Sequence, residues 1–470
     1  MKKIGNVFYV VMCLLLCMFL FAGMAFAPAD TTTENRELAD IPDIRENGEW
    51  NRTYLQELGT YFEEHFAFRP LLVTVDSVIQ SRVFKVSNMD TVIVGTDGWL
   101  YYTATLDDYL GKNTLSERGI YNAAHNLSLM QRYVEDKGAV FLFTVAPNKN
   151  SLYGENMPYY DKRAVSSTKN ITLLERELKE FDIAYADLFT AFADKEEILY
   201  LKRDSHWNRK GAVLAYNTML DCLDCEHDTF ETVGCVRTKT EYGDLNKMMY
   251  PVDFAPEWDY KYQKENVFKY VTDTESVEDA WIQTENPVGE GSLLMFRDSF
   301  GNTLLPLMAD VFKDGYFSKS IPYNIEDYLN AFSPEYVIVE KVERNIGDFA
   351  TEPPIMTGPL VSLESKADKV STGTTLHMAE SEYNTAYWEI SGMVDEKYIK
   401  ADTDIYINVT VNGETKTYEA YSTTQEGSDN GYLLYIAKKQ IPSEEVWVEI
   451  LLETKGAVQS VASGNFNVSR

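Results

Sequence analysis

Between residues 139 and 342 the sequence switches repeatedly between strand-like and helix-like hydrophobic patterns, and this alternation restricts the fold more than any other feature. "AVFLFTVAP" (139–147), "SLLMF" (292–296) and "PEYVIVEKV" (334–342) are strand-like. "SERGIYNAAHNLSLMQRYVEDKG" (116–138), "SSTKNITLLERELKEFD" (166–182), "NRKGAVLAYNTMLDCL" (208–223) and "LLPLMADVF" (304–312) carry apolar residues at helical spacing. A strand with no polar face must be covered on both sides. Strands separated by helices meet that demand as an α/β fold, a mainly parallel sheet with helices on both faces. "IAYADLF" (183–189) and "EEILYL" (196–201) read as further strands, and "DTVIVGTDGWLYY" (90–102) as strand, turn and strand. After about residue 355, segments such as "DIYINVTVNGETKTYEAYST" and "VWVEILLE" alternate apolar and polar residues without a convincing helix. They predict a small C-terminal antiparallel β-sandwich. The sequence contains no Gly-rich phosphate loop and no dinucleotide fingerprint.

The ends and the charge narrow the setting. Lys2 and Lys3 precede an uncharged run from Ile4 to Ala29, long enough to cross a bilayer as a helix with its N-terminus in the cytoplasm. The "AFA" at 25–27 also suits a signal peptidase, so cleavage is the competing outcome. Both outcomes put the remaining chain outside the cytoplasm. The expected organisation is an anchor or signal peptide over 1–29 and a linker with a helical segment over 30–87. A catalytic α/β domain over 88–352 and a sandwich over 353–470 follow. A formal charge of −30 argues against nucleic acid as partner, because each phosphate contact needs a cation. Cys222, Cys225 and Cys235, with His227 nearby, fit a metal site, a disulfide with one thiol left over, or three idle thiols. Spacing does not choose among these.

Two short segments carry candidate chemistry. "LYLKRDSHWNRKGA" (199–212) places Asp204 two residues before His206, and a carboxylate so placed can orient an imidazole as general base. In an extended segment those two side chains point the same way and Ser205 points elsewhere. "SLLMFRDSFGN" (292–302) runs from a buried strand through Asp298 and Ser299 into a helix. A serine there sits at the carboxyl edge of a parallel sheet, where open sheets place their sites. N–H groups at the helix start suit an oxyanion. Singly, each residue has a bland reading: Ser299 or Asp204 as a helix cap, His206 as a surface histidine. Together, in two strand-to-helix turns of one sheet, they suggest Ser299 as nucleophile, His206 as base and Asp204 as its orienting carboxylate. Asn148 and Lys149, after the 139–147 strand, reach the same edge as candidates for oxyanion or substrate binding, and Tyr153 for lining the cleft. No metal or other cofactor is expected. His65, His125 and His377 have no evident partners. Tyr383, Trp388, Tyr421 and Tyr432 in the sandwich are candidates for stacking on sugar rings.

"RDSHWN" (203–208) with "RDSFGN" (297–302) resembles the DHHW family of exported bacterial proteins and the related alginate O-acetylation proteins with SGNH-hydrolase-like domains. "ENRELADIP" (34–42), "YFEEHFAFR" (61–69), "VIVGTDGWLYY" (92–102), "APNKNSLYGENMP" (146–158) and "GDL" (243–245) recur in the same order. The resemblance implies an SGNH-like fold and acyl-ester chemistry on glycans, with Ser299, His206 and Asp204 in the roles above. It implies a polysaccharide acceptor and a membrane acyltransferase partner that supplies the acyl donor. Ser205 stands where the family's name has histidine. Arg297 stands where many SGNH-type nucleophile segments have glycine, which bears on the oxyanion turn. The expected function is an exported O-acyltransferase that O-acetylates a polysaccharide through an acyl-serine. The alternatives are a carbohydrate esterase with the same triad and a non-catalytic glycan-binding scaffold.

Overall fold

The computed structural model describes residues 2–24, 39–46, 48–193, 195–253, 255–363, 367–442 and 445–468. Seven strands form the central sheet: β1 (Val140–Ala146), β2 (Tyr185–Ala186), β3 (Lys269–Tyr270), β4 (Trp281–Glu285), β5 (Ser292–Phe296), β6 (Asp314–Ser318) and β7 (Tyr336–Val342). Their order is β2-β1-β7-β5-β6-β4-β3. The pairs from β2 to β6 are parallel, while β4 and β3 add an antiparallel edge. The sheet is thus mainly parallel, as the alternation predicts.

The continuous apolar strands are buried on both faces because successive side chains point opposite ways. Phe141, Phe143, Leu294, Val337 and Val339 pack in one core with α4 (Glu117–Asp136), α5 (Asn170–Glu180) and α9 (Ile325–Phe332). Leu142, Leu293, Met295 and Ile338 face the other core, against α6 (Arg209–Cys222) and α8 (Gly301–Ala309). α6 begins where Asn208 caps it by accepting from Gly211 N–H at 3.0 Å. A Cβ on Gly211 would lie 2.4 Å from the Leu199 carbonyl oxygen, so only glycine lets α6 lie this close to the segment before it. α7 (Asp244–Met249) is a short helix beside the site, and α1 (Lys2–Gly23), α2 (Tyr54–His65) and α3 (Arg69–Ile79) lie N-terminal to the domain.

Two strand expectations shrink. "IAYADLF" pairs only over Tyr185–Ala186 before a helix begins at Leu188. "EEILYL" supplies no strand: the chain doubles back, with Tyr200 bridging antiparallel to Trp207, so 201–206 is a folded loop rather than an extended segment. The N-terminal run is helical as α1, yet among the described residues no helix is long and apolar enough to cross a membrane, and the anchor expectation is unsupported. The competing cleavage site at 25–27 lies outside the described residues.

The C-terminal region is strand-rich, with a six-stranded and a four-stranded sheet around an aliphatic core that includes Ile390, Ile407, Leu434, Val448 and Ile450. Its strand pairings are antiparallel except that Asp368–Lys369 runs parallel to Ala457–Asn467, and Thr357 makes an isolated parallel bridge to Tyr435. The region is joined to the α/β core: Tyr387, Tyr421 and Tyr435 belong to the same hydrophobic cluster as α4 and β1. Tyr421 and Tyr432 are fully buried, which removes both from the sugar-stacking candidates; Tyr383 is 58% exposed.

α4 also carries a polar seam into the C-terminal strands. Arg118 donates to the carbonyls of Ala401 (3.1 Å) and Thr403 (2.6 Å) and to Ser422 Oγ (2.9 Å). Burial lowers its guanidinium pKa to about 10, which still leaves it charged. His125, expected to be without partners, is buried with Nε2 2.9 Å from Glu419 Oε1, and Arg132 Nη2 reaches Glu419 Oε2 at 2.5 Å. Burial alone would raise the Glu419 pKa; His125 and Arg132 outweigh it and hold it at about 2. Replacing Arg118 by methionine keeps bulk but strands three acceptors, so the urea midpoint should fall by the equivalent of about 3 kcal/mol. An unchanged midpoint would show that the seam contributes nothing to stability.

Candidate active site

Two strand-to-helix turns, after β5 and after β1, and the folded loop before α6 converge at the carboxyl edge of the sheet. The first follows β5. The Asp298 carboxylate fixes this turn from inside, accepting from Phe300 N–H at 2.8 Å through Oδ1 and from Val342 N–H at 2.7 Å through Oδ2. Asp298 N–H in turn donates to Glu340 Oε2 at 3.0 Å. Burial first, and the neighbouring Asp298 second, push the Glu340 pKa well above the ordinary carboxyl range. Ser299 is half-buried at the apex of this turn. The N–H groups of Ser299 and Gly301, at the start of α8, have no acceptor among the described residues. A Cβ on Gly301 would meet Arg297 Cβ at 2.5 Å, so this tight return of the chain requires glycine.

The second turn carries His206. Its Nε2 lies 2.8 Å from Ser299 Oγ, and its Nδ1 lies 2.7 Å from Asp204 Oδ1. Asp204 Oδ1 also accepts from His206 N–H at 2.9 Å, and Oδ2 from Asp244 N–H at 2.8 Å. The structure thus brings Ser299, His206 and Asp204 into one hydrogen-bonded chain. Trp207 and Phe300 hold the two turns in register. Trp207 Nε1 donates to Thr303 Oγ1 at 2.6 Å, and its ring meets Phe300 edge-on at 4.9 Å between centroids. Phe300 also lies 4.7 Å from the imidazole.

Electrostatics polarises this chain. Burial alone would raise the Asp204 pKa; His206 and the two N–H groups outweigh it and hold the carboxyl at about 2. Burial alone would lower the His206 pKa; Asp204 first, then Asp244 and Asp298, outweigh it and raise it above 6.5. The imidazole is thus a stronger base than free histidine, fixed with its Nδ1–H toward carboxylate and its Nε2 lone pair toward the serine hydroxyl.

The third turn follows β1, and here the structure does not bring the expected side chains to Ser299. Asn148 is fully buried, with its amide on Asp108 Oδ2 at 3.2 Å and its backbone N–H on Glu343 at 2.8 Å. Lys149 is also buried and donates to the carbonyls of Leu201, Lys202 and Asp204 at 3.1, 3.1 and 2.5 Å. Burial lowers its pKa to about 8, with Asp204, Asp244 and Glu257 opposing. All three ammonium hydrogens are spent on the His206 loop, so Lys149 shapes that loop from below. The Tyr153 hydroxyl accepts from Leu199 N–H at 2.8 Å and supports the same loop. Arg297 is buried and turned from the cleft, donating to Asn302 Oδ1 and to the carbonyls of Val277 (2.9 Å) and Asp279 (3.1 Å).

One residue type was misjudged and one was missed. Ser205 does not face away: its Oγ lies 3.2 Å from His206 Nδ1 and 2.5 Å from Asp244 Oδ2. Alternation fails here because the loop is folded. Asp244 received no role from the sequence, although "GDL" was singled out; 38 residues separate it from His206, and only the fold joins them. Among the described residues, two groups bring three metal-ligating atoms within 4.8 Å of one another, His125/Asp404/Glu419 and Asp204/His206/Asp244. In each, the protein's own hydrogen bonds already link the donors. Cys222, Cys225 and Cys235 are free thiols and belong to neither group.

Residues 92–288 match the family model of the SGNH hydrolase-like domain, acetyltransferase AlgX. The match takes in Asp204, His206 and Asp244 and stops before Ser299. No curated protein matches the chain. Among solved structures, PatB1 of Bacillus cereus is 17% identical, over 54% of this chain and 96% of that one, with a TM-score of 0.44. A DHHW family protein from Eubacterium siraeum is 16% identical, over 55% and 93%, with a TM-score of 0.43. AlgX of Pseudomonas aeruginosa is 14% identical, over 80% and 90%, with a TM-score of 0.35. At these identities and TM-scores the three likenesses bear on neither activity nor substrate. It is the family model that shows residues 92–288 to be similar to the SGNH hydrolase-like domain of AlgX-type acetyltransferases, the relationship that the motifs around His206 suggest.

Proposed function

We propose that this protein is an extracytoplasmic serine-dependent O-acyltransferase that acetylates a polysaccharide. The observation that carries the reading is the continuous chain from Ser299 Oγ to His206 Nε2 (2.8 Å) and from His206 Nδ1 to Asp204 Oδ1 (2.7 Å). A scaffold that merely retained the fold has no need of a nucleophile, base and orienting carboxylate in hydrogen-bond contact. The family-model match to an acetyltransferase domain supports the same reading.

In the first half-reaction His206 Nε2 removes the Ser299 proton as Oγ attacks the carbonyl carbon of an activated acyl donor. The oxyanion faces the unpaired N–H groups of Ser299 and Gly301. Collapse expels the donor's leaving group, which takes the proton from His206 and leaves an acyl-serine ester. In the second half, His206 deprotonates a sugar hydroxyl, whose oxygen attacks the ester. The proton returns from His206 to Ser299 and an O-acylated sugar departs. A membrane acyltransferase that delivers the donor is part of this reading. Water in place of the sugar would give an esterase from the same residues.

With an activated chromogenic acetyl ester, Ser299→Ala should abolish release and remove the acetyl adduct seen by intact mass in the wild type. Equal release and no adduct in folded wild type would overturn the reading; comparing products with and without a sugar acceptor separates transfer from hydrolysis. The second prediction concerns pH. Only neutral His206 accepts a proton, so activity should rise with pH through a midpoint above 6.5. Asp204→Asn removes the charge that raises this midpoint. The acid limb should move to lower pH, and kcat should fall by roughly 10²- to 10⁴-fold. A profile indifferent to Asp204 would exclude it as the orienting carboxylate.

A further inference from the structure

α7 is folded against the turn that carries His206. A Cβ on Gly243 would lie 2.2 Å from the Arg203 carbonyl oxygen, so glycine permits this approach, and Asn246 N–H donates to that same oxygen at 3.0 Å. Asp244 thereby embraces the turn with both backbone and side chain. Its N–H binds Asp204 Oδ2 (2.8 Å), its Oδ1 accepts from Ser205 N–H (2.8 Å), and its Oδ2 accepts from Ser205 Oγ (2.5 Å). The same Oδ2 lies 3.8 Å from His206 Nδ1.

Proton counting gives this arrangement a direction. A serine hydroxyl has one hydrogen, and the 2.5 Å contact commits it to the carboxylate, which when ionised only accepts. Ser205 therefore presents a lone pair to His206 Nδ1, 3.2 Å away. Nδ1–H then has two acceptors, Asp204 Oδ1 and Ser205 Oγ, with the Asp244 charge directly behind the second. An N–H held between two acceptors keeps the other nitrogen, Nε2, as the acceptor facing Ser299.

We propose that Asp244, acting through the Ser205 hydroxyl, is a second carboxylate partner of His206, a positioning residue that holds its tautomer and stabilises the imidazolium formed when Ser299 gives up its proton. The imidazolium part rests on the catalytic role of His206 proposed above. The groups that act on this imidazole come from four elements. Asp204 lies on its own turn, Asp244 on α7, Asp298 after β5, and Glu278 on the segment before β4. Lys149 and Glu257 touch the same turn through its backbone. Burial and the adjacent Asp204 both raise the Asp244 pKa, as expected for two carboxylates crowded around one N–H.

The test uses the full chain with ¹³C-labelled histidine, the His206 signal being assigned by its loss in His206→Gln. In Asp244→Asn the His206 titration midpoint should fall by about one pH unit, a tenfold loss of proton affinity. Against an activated acetyl ester, kcat should fall about tenfold while KM is unchanged. Ser205→Ala should show part of the same shift, and Ser205→Thr, which keeps the hydroxyl, should restore it. A midpoint that stays put in folded Asp244→Asn and Ser205→Ala would reduce Asp244 to a structural clamp and overturn the proposal. Should Asp244→Asn fail to fold, Ser205→Ala decides the matter by the same titration, since it leaves every carboxylate in place. A shifted titration in a protein without any Ser299-dependent adduct would sink the acyltransferase reading and leave the link between His206 and Asp244 standing.

Discussion

The contact between Trp207 and Phe300 is the interaction on which the rest of the site depends. Each ring follows the reactive residue of its own turn, and their edge-on packing at 4.9 Å, with the Trp207 Nε1 bond to Thr303, sets the distance between two turns 93 residues apart in sequence. A hydrogen bond between serine and imidazole tolerates only a few tenths of an ångström of drift. Two loops each anchored only to its own strand would not hold that tolerance. Rings packed between them do, because displacing either loop opens a void in a close-packed core.

Beneath this apolar clamp lies a layer of buried charge that is costly unless every atom finds a partner. Lys149 meets the demand by giving its three hydrogens to three carbonyls of the His206 loop. Glu340 Oε2 accepts from Asp298 N–H below the nucleophile turn, while burial and the neighbouring Asp298 raise its pKa. Arg297 reaches away from the cleft and places its two terminal nitrogens on Asn302 and two carbonyls. None of these groups is hydrogen-bonded to Ser299 among the described residues; each holds backbone around the two turns. The polar surroundings of the site are thus largely a means of shaping loops. They also explain why Asn148 and Lys149 attract notice in the sequence without reaching the nucleophile.

The C-terminal strands extend the same logic outward. Arg118, Asn126, His125 and Arg132 on α4 each make a hydrogen bond to that region, and its Tyr387, Tyr421 and Tyr435 belong to the core cluster under α4. A region tied by a shared hydrophobic core behaves as part of the α/β body rather than as a tethered module. Burial also takes Tyr421 and Tyr432 out of any role in sugar stacking.

The sequence by itself determined the sheet and two of its turns. Continuous apolar runs such as 139–147 and 292–296 cannot be solvated on either face, so a covered, mainly parallel sheet follows from local chemistry. Ser299 is legible for the same reason, since a polar residue directly after such a run stands at a sheet edge, whereas Asp204 and His206 are legible from their two-residue spacing alone. The strand reading of 196–201 fails because its hydrogen-bond partners lie elsewhere: Tyr200 turns back onto Trp207, Asn208 N–H takes the Leu199 carbonyl and Lys149 takes that of Leu201. With that strand went the alternation argument for Ser205. Which other side chains gather around the imidazole depends on contacts between segments far apart in the chain. Asp244 arrives there from a separate helix because Gly243 lets two backbones touch, and no periodicity encodes an approach of that kind.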